Sequence, residues 1–363
     1  MPIGQPTIDI EFIQKAVTAI TRSERGVACV VVYDDTQSTA GYYVYKYATD
    51  VPDDRYNAEN LAAIKRCWLC SVNKVIVVNV PTEAEFSAVT AILETIKYNY
   101  VCVVNDSVQQ DLVTYLVSKN ANSPGKKYIG VVYSATTADS KYIINVKNAS
   151  VHDIDTDADV DMVHYLPRIT SVLANLPLNR SITYYELEDI SNVDMSFVTT
   201  TDTIDTFINQ GYLCLWMDED VVKVGRGVNS LTTFTATDTE DMRKIVIVEA
   251  MNLIIEDIYN TFKDYYVGKY KNSYDNQCLF ISAVNTYFRQ LAREEILDPS
   301  FDNVSFVDVE LQRDAWLGIG KTEAADWTEA QVKEMTFKSW IYLAGNIKIL
   351  DAIEDLKFRI AMA

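Results

Sequence analysis

Near the end of the chain the apolar positions recur with period two: Leu356, Phe358 and Ile360 alternate with Lys357 and Arg359. That spacing predicts a half-buried strand. Upstream, Trp340, Ile341, Tyr342 and Leu343 form an apolar run, followed by Ile347 and Ile349. The odd-numbered phase (Ile347, Ile349, Ile353) slips to the even one across Asp351–Asp355, and a strand cannot keep one face buried through such a slip. The pattern therefore predicts a core strand to about Leu350, a hinge at Asp351, Ala352, Ile353 and Glu354, and a second strand from Asp355 onward. An amphipathic helix using Ile349, Ile353, Leu356 and Ile360 is the alternative. At the other end, Ile8, Ile10 and Phe12 alternate with Thr7, Asp9 and Glu11. Residues 1–25 read as an extended arm, or else as a first strand paired within its own domain.

From Gly26 the pattern changes to strand and helix in alternation. GVACVVVYDD is a continuous apolar run ending in acids, as a strand buried on both faces requires. Strands follow at Tyr42–Tyr47, Lys74–Val80, Tyr100–Val104, Tyr128–Tyr133 and Tyr142–Val146. Helical spacing appears at 57–70, capped by Asn57, and again at 82–97 and 106–119. This order implies βαβ units, a mostly parallel sheet and three layers. A helix containing Pro167 and the Leu176-Pro177-Leu178 stretch close a first domain at 178. Beyond it lie a helix in 199–211 ended by Gly211 and a hairpin, 212–217 with 221–224, turning at Asp218-Glu219-Asp220. Long helices follow at about 238–264 and 274–297, then a strand at Val304–Val309 and a final helix at 326–338. The segments are thus an arm (1–25), an α/β domain (26–178), an α+β domain (179–350) and a terminal hinge and strand (351–363).

Charge narrows the partners. Thirty-two Lys and Arg against 51 Asp and Glu give −19, which argues against nucleic acid or an anionic membrane as a direct partner. No run approaches a membrane span, and the first residues carry no leader pattern, so synthesis in the cytosol is expected. Six scattered cysteines do not form a disulfide framework, and Cys67-Trp-Leu-Cys70 has no second pair to complete a zinc site. Asp153, Asp155, Asp157, Asp159 and Asp161 form the best metal-like string. An EF-hand starting at Asp155 would need Gly and Glu where Val160 and Leu166 stand, so the string reads as an exposed acidic loop.

Catalytic patterns are missing. There are two histidines, His152 and His164, neither beside a nucleophile motif. Gly225-Arg226-Gly227 lacks the third glycine of a dinucleotide fingerprint and reads as a turn. No cofactor and no metal site are expected, and the chain does not look like an enzyme.

Five stretches together resemble a known family: ITRSERGVACVVVYDD, YLCLWMDEDVVKVGRGVNSLTTFT, DMRKIVIVEAMNLIIEDI, YVGKYKNSYDNQCLFISAVNTYF and GNIKILDAIEDLKFRIAM. In colinear order they resemble the compact type of contractile tail sheath protein found in phages of Gram-positive bacteria, defective prophages and phage-tail-like bacteriocins. The resemblance implies an outer α/β domain, an inner α+β domain and two extended arms. It implies six-membered rings stacked helically around a tail tube, with the arms adding strands to sheets of neighbouring subunits. Ile8, Ile10, Phe12, Leu356, Phe358 and Ile360 would then be the linking residues. Lys333 and Lys338, in the segment Lys321–Lys338, would be candidates for touching the tube. The implied partners are further copies of the chain, the tube protein, and baseplate and terminator proteins. Assembly would occur in the bacterial host cytoplasm, with the final place in the tail of a phage or phage-tail-like particle. Rival readings are another tail component carrying a sheath-like domain, and a nucleotide-dependent enzyme.

Overall fold

Val27–Tyr33 (VACVVVY) is buried at every position, as the unbroken apolar run requires of a strand with helices on both sides. A computed structural model describes residues 19–37 and 39–362. In chain order it begins with β1 (Val27–Tyr33), β2 (Gly41–Tyr45), α1 (Ala58–Lys65), β3 (Lys74–Val80), α2 (Phe86–Leu93), β4 (Tyr100–Val104), α3 (Gln109–Asn122), β5 (Ile129–Tyr133) and β6 (Ile143–Val146). Next come β7 (Ser150–Asp153), β8 (Ala158–Asp161), α4 (Met162–Asn175), β9 (Ile190–Val193), α5 (Ile204–Asn209), β10 (Tyr212–Leu213), β11 (Leu215–Asp218), β12 (Val221–Val224) and α6 (Ile245–Thr261). The last elements are α7 (Tyr274–Arg293), β13 (Val304–Val307), α8 (Val309–Gly318), α9 (Glu329–Glu334) and β14 (Leu343–Asn346).

Packing divides the described residues into two compact units, 22–260 with 349–362, and 19–21 with 261–348. In the larger unit the main sheet has the order β10-β6-β5-β4-β1-β3-β2. Its strands are parallel except β2, which runs antiparallel to β3 at the edge. Val30, Val32, Cys102 and Val131 face Ile64 of α1 and Leu166 and Ile169 of α4. Cys29, Val31, Val101 and Val103 face Leu93 of α2 and Leu112 and Leu116 of α3. These are the three layers the alternation implied. Asn57 caps α1 as expected, accepting from Asn60 N at 2.8 Å.

Some elements differ from the sequence reading. The helix expected over 82–97 is only Phe86–Leu93, because the stretch just after Pro81 forms a turn in which Ala84 N donates to the Pro81 carbonyl. The long helix starts at Ile245, not 238, since Lys244 is diverted into a bridge with Val228. The hairpin expected from Tyr212 begins at Leu215. Tyr212 and Leu213 leave to pair with Asn145 and Val146 of β6, while Asn148 bonds both the N–H and the carbonyl of Leu215. Helix α8, capped by Asp308, lies where the sequence reading had no helix.

The units also divide the chain differently from the four segments read in the sequence. Position 178 is no break in packing: Ile182, Leu187, Ile190, Leu213, Val222 and Val224 all join the core on the α4 side of the main sheet. The smaller unit gathers α7, α8, α9 and the antiparallel pair β13–β14. Gln312, fully buried, donates to the Val332 carbonyl at 2.5 Å, and Trp316 packs on Trp327 and Phe337.

Candidate functional site at the root of the carboxy-terminal tail

Gly225-Arg226-Gly227 follows β12, and the chain returns past it at Arg243–Ile245. Asn229 N donates to the Arg243 carbonyl and Ile245 N to the Gly227 carbonyl. This pairing sets Arg226 and Lys244 side by side. Gly227 is required here: a Cβ would lie 2.9 Å from Ile182 Cγ2 and 3.1 Å from Ser181 Oγ. The close approach lets Gly227 N donate to Thr183 Oγ1 at 2.9 Å.

Into this frame comes Glu354. Its side chain is only 4% exposed. One carboxylate oxygen accepts from Thr183 Oγ1 at 2.6 Å and Ser181 Oγ at 3.0 Å. The other accepts from Arg226 Nε at 3.2 Å and lies 3.5 Å from Lys244 Nζ. Arg226 also pairs with Asp355, and Lys244 with Asp351. Burial by itself would raise the Glu354 carboxyl. The Thr183 and Ser181 hydroxyls and the two cations outweigh it and hold the group below its usual range. Lys244 is likewise opposed by burial, yet Asp351 and Glu354 keep it above its usual value.

Among the described residues the chain beyond this clamp has no helix and no strand, so within the subunit neither the strand expected from Asp355 onward nor the helical alternative for 349–360 is formed. Leu356 is 89% exposed, Phe358 76%, Ile360 70% and Met362 94%. Four large apolar side chains in seven residues, all bared to solvent, form an unsatisfied surface. The residues read as a hinge fall on both sides of this arrangement. Asp351 and Glu354 are gripped, Ala352 is half-buried, and Ile353 is 99% exposed.

The segment entering β1 is also pinned. Ser23 N donates to Asp257 Oδ1 at 2.7 Å, and Glu24 meets Lys74 at 2.7 Å. Arg25 pairs with Glu249, which accepts from the Tyr100 hydroxyl at 2.5 Å. Helix α6 carries Glu249 and Asp257, and Lys244 immediately precedes it. At ~1.5 Å of rise per residue, Lys244 and Asp257 stand about 20 Å apart along one rigid rod. Ile8, Ile10 and Phe12 lie outside the described residues.

Lys333 is half-buried on α9, 4.0 Å from Glu329 one turn earlier. Lys338 is exposed, has a positive φ of 47°, and places Nζ 5.2 Å from the Phe337 ring centre. Sequence reasoning missed Ser181, Thr183, Arg226 and Lys244. The glycines flanking Arg226 were a signal of close backbone approach, but nothing marked the acid that fills the space.

The other chemical candidates resolve as ordinary structure. The aspartate string is not a loop but the β7–β8 hairpin. Asp153 pairs with Arg66 at 2.9 Å, and Asp159 and Asp157 flank His152 at 2.8 and 3.3 Å. Among the described residues no group of three or more His, Cys, Asp or Glu could hold a metal ion. Cys67 is buried and its thiol is pushed well up by burial, the opposite of a reactive thiolate. An open cavity of about 630 Å³ is lined by Gln110, Thr136, Thr137, Tyr212 and Ser230, with no nucleophile–base pair. Among the described residues no helix is long and apolar enough to cross a membrane.

Residues 237–363, which include α6, the whole smaller unit from Thr261 and the tail, match the phage tail sheath C-terminal domain. Over 99% of both chains the protein is 29% identical to the tail sheath protein of Clostridium phage phiCD119. Its fold is similar to that of the helical sheath of the anti-feeding prophage in the contracted state, with a TM-score of 0.69, 12% identity and 98% of each chain covered. It is also similar to a sheath tail protein from Listeria innocua, with a TM-score of 0.65, 13% identity, and 81% and 91% coverage. The resemblance seen in the sequence therefore holds along the chain, and the fold is that of contractile sheath subunits. These relatives carry the names tail sheath protein and helical sheath, and the likeness to them runs over nearly the whole chain.

Proposed function

We propose that this chain is a sheath subunit that polymerises as stacked six-subunit rings around a tail tube and contracts to drive the tube through a target envelope. Neighbours are linked by strand addition through both terminal arms. The observation that carries this reading is the exposed alternating tail, Leu356, Phe358 and Ile360, leaving directly from the Glu354 clamp. A monomer gains nothing from holding such a segment at its root and baring its apolar side chains. A neighbour's sheet gains backbone hydrogen bonds and about 1.5–3 kcal/mol for each large side chain it buries.

Contraction in this reading moves subunits as nearly rigid bodies while the arms stay joined. The pinning of residues 22–25 and of 351–355 on either end of α6 suits that role: strain is taken up in the segments outside the two roots. Ile8, Ile10 and Phe12 are the proposed counterpart anchors at the amino end. Lys333 and Lys338 are the proposed tube contacts, and charge reversal at both should weaken tube association without blocking polymerisation. Baseplate and terminator proteins are the proposed partners at the ends of the assembly.

Negative-stain microscopy tests the proposal. The intact protein should form tubes or rings, while chains lacking 1–20 or 355–363 should remain folded and monomeric. Polymerisation by both truncated chains would rule out the linked mesh.

A further inference from the structure

The small sheet of β13 and β14 has two edges, and they are not equivalent. Val304 pairs with Asn346, Ser305 with Gly345, Phe306 with Ala344 and Val307 with Leu343. In an antiparallel pair, opposed residues alternate between facing each other and facing outward. Ser305 and Gly345 are an outward-facing pair, because the Ser305 backbone turns away from β14 to meet α7. Ser305 N donates to Asn285 Oδ1 at 2.6 Å, and Asn285 Nδ2 donates to the Ser305 carbonyl at 3.2 Å. One side-chain amide thus takes the place of a peptide group in a third strand. On the other side Gly345 presents its N–H and carbonyl outward, and among the described residues the sheet ends at β14.

We propose that Asn285 closes the β13 edge, so that a strand from a second copy of this chain adds to this sheet only beside β14. The occupant is the tail 355–362, which has period-two apolar side chains, 70–94% exposed, at Leu356, Phe358, Ile360 and Met362. This inference rests on the strand-addition reading above and makes it directional. An edge pair open on both sides would template strands in two directions, which is the route to uncontrolled aggregation. Asn285 leaves one acceptor per subunit in this sheet. Gly345 suits the acceptor side: a Cβ there would lie 3.0 Å from the Val304 carbonyl oxygen, and the bare position lets an incoming backbone approach. Asn285 is a positioning residue, acting through the Ser305 backbone.

Interchain disulfide trapping in the full chain tests this. The exposed thiol is removed by Cys278→Ser. Cysteine is placed in turn at Leu356, Phe358 or Ile360, combined with either Ala344→Cys on β14 or Phe306→Cys on β13. A strand beside β14 lies ~4.8 Å from Ala344 but about 10 Å from Phe306. Cross-linking through Ala344→Cys should exceed that through Phe306→Cys at least about tenfold, since Cα atoms beyond ~7 Å are not bridged. Adding Asn285→Ala should switch on linking through Phe306→Cys. Asn285→Asp, which keeps the acceptor for Ser305 N but loses the donor, should act in the same direction and guards against misfolding of the alanine variant. Equal linking at both positions with Asn285 present, or no gain at Phe306→Cys in either variant, overturns the edge-closing role and leaves the arm reading intact. No interchain link at any tail position overturns the arm reading together with this inference.

Discussion

Arg226 Nε lies 3.2 Å from Glu354 Oε2 across 128 positions of sequence, and the same guanidinium reaches on to Asp355. One cation therefore holds both the buried Glu354 carboxylate and Asp355, the first residue of the exposed tail.

Replacing Glu354 by alanine removes the acceptor of two hydroxyls and two cations. Hydrogen bonds to a charged group are worth about 1.5–3 kcal/mol when buried, and solvent reaching Arg226 and Lys244 reduces the loss, so a cost of about 1–3 kcal/mol is expected. Hydrogen exchange should show lost protection at 349–355 with β1 and β3 unchanged. Unaltered exchange in this segment would mean that the clamp does not hold the tail.

Acid should release the same anchor. The Glu354 carboxyl is depressed below its ordinary value of 4.5, so its stabilising contribution is complete above about pH 4.5 and disappears as pH falls through the lower folded value. Exchange protection of 349–355 should drop across that window in the native chain. In Glu354→Gln the drop should be absent, with protection low throughout.

His152 offers a titration of opposite sign. Its bond to Asp159, and then that to Asp157, raise the imidazole above its ordinary value of 6.5. The contribution to the β7–β8 hairpin is complete below pH 6.5 and fades as pH rises through the elevated value. Nuclear magnetic resonance of the His152 ring should show the raised midpoint, and Asp159→Asn should return it towards 6.5. A midpoint unaffected by that change would place the cause elsewhere.

Gly211→Ala should destabilise the larger unit by about 1–3 kcal/mol. Gly211 has φ +86°, and an added Cβ would meet Ser230 Cα and its carbonyl oxygen at 3.0 Å, both backbone atoms with little room to yield. Thermal unfolding measures the loss. A stability equal to the parent would show that the backbone at Ser230 adjusts freely.

Much of the fold is legible in the chain because it repeats locally. The runs Val27–Tyr33, Lys74–Val80 and Tyr100–Val104 announce buried strands, and β3 and β4 fall on the expected residues. Asn57 as a cap and Gly211 as a helix stop are chemical signals carried by single residues. The period-two tail is equally plain. Less was visible where one residue's conformation depends on a distant partner. Tyr212 and Leu213 have the same β-forming character as Leu215 and Trp216. Only the open edge of β6 and the side chain of Asn148 separate them into different sheets.

The sequence by itself determined the layered sheet, the caps and the apolar alternation of 356–360, because burial periodicity and turn chemistry act over a few residues. Only the tertiary structure decided that Arg226, Lys244, Ser181 and Thr183 meet on Glu354, and that Asn285 closes one side of a two-stranded sheet. Charge pairs and edge caps are set by where folded segments converge. Their partners lie 20 to more than 170 residues apart, and no periodicity in the chain encodes that convergence.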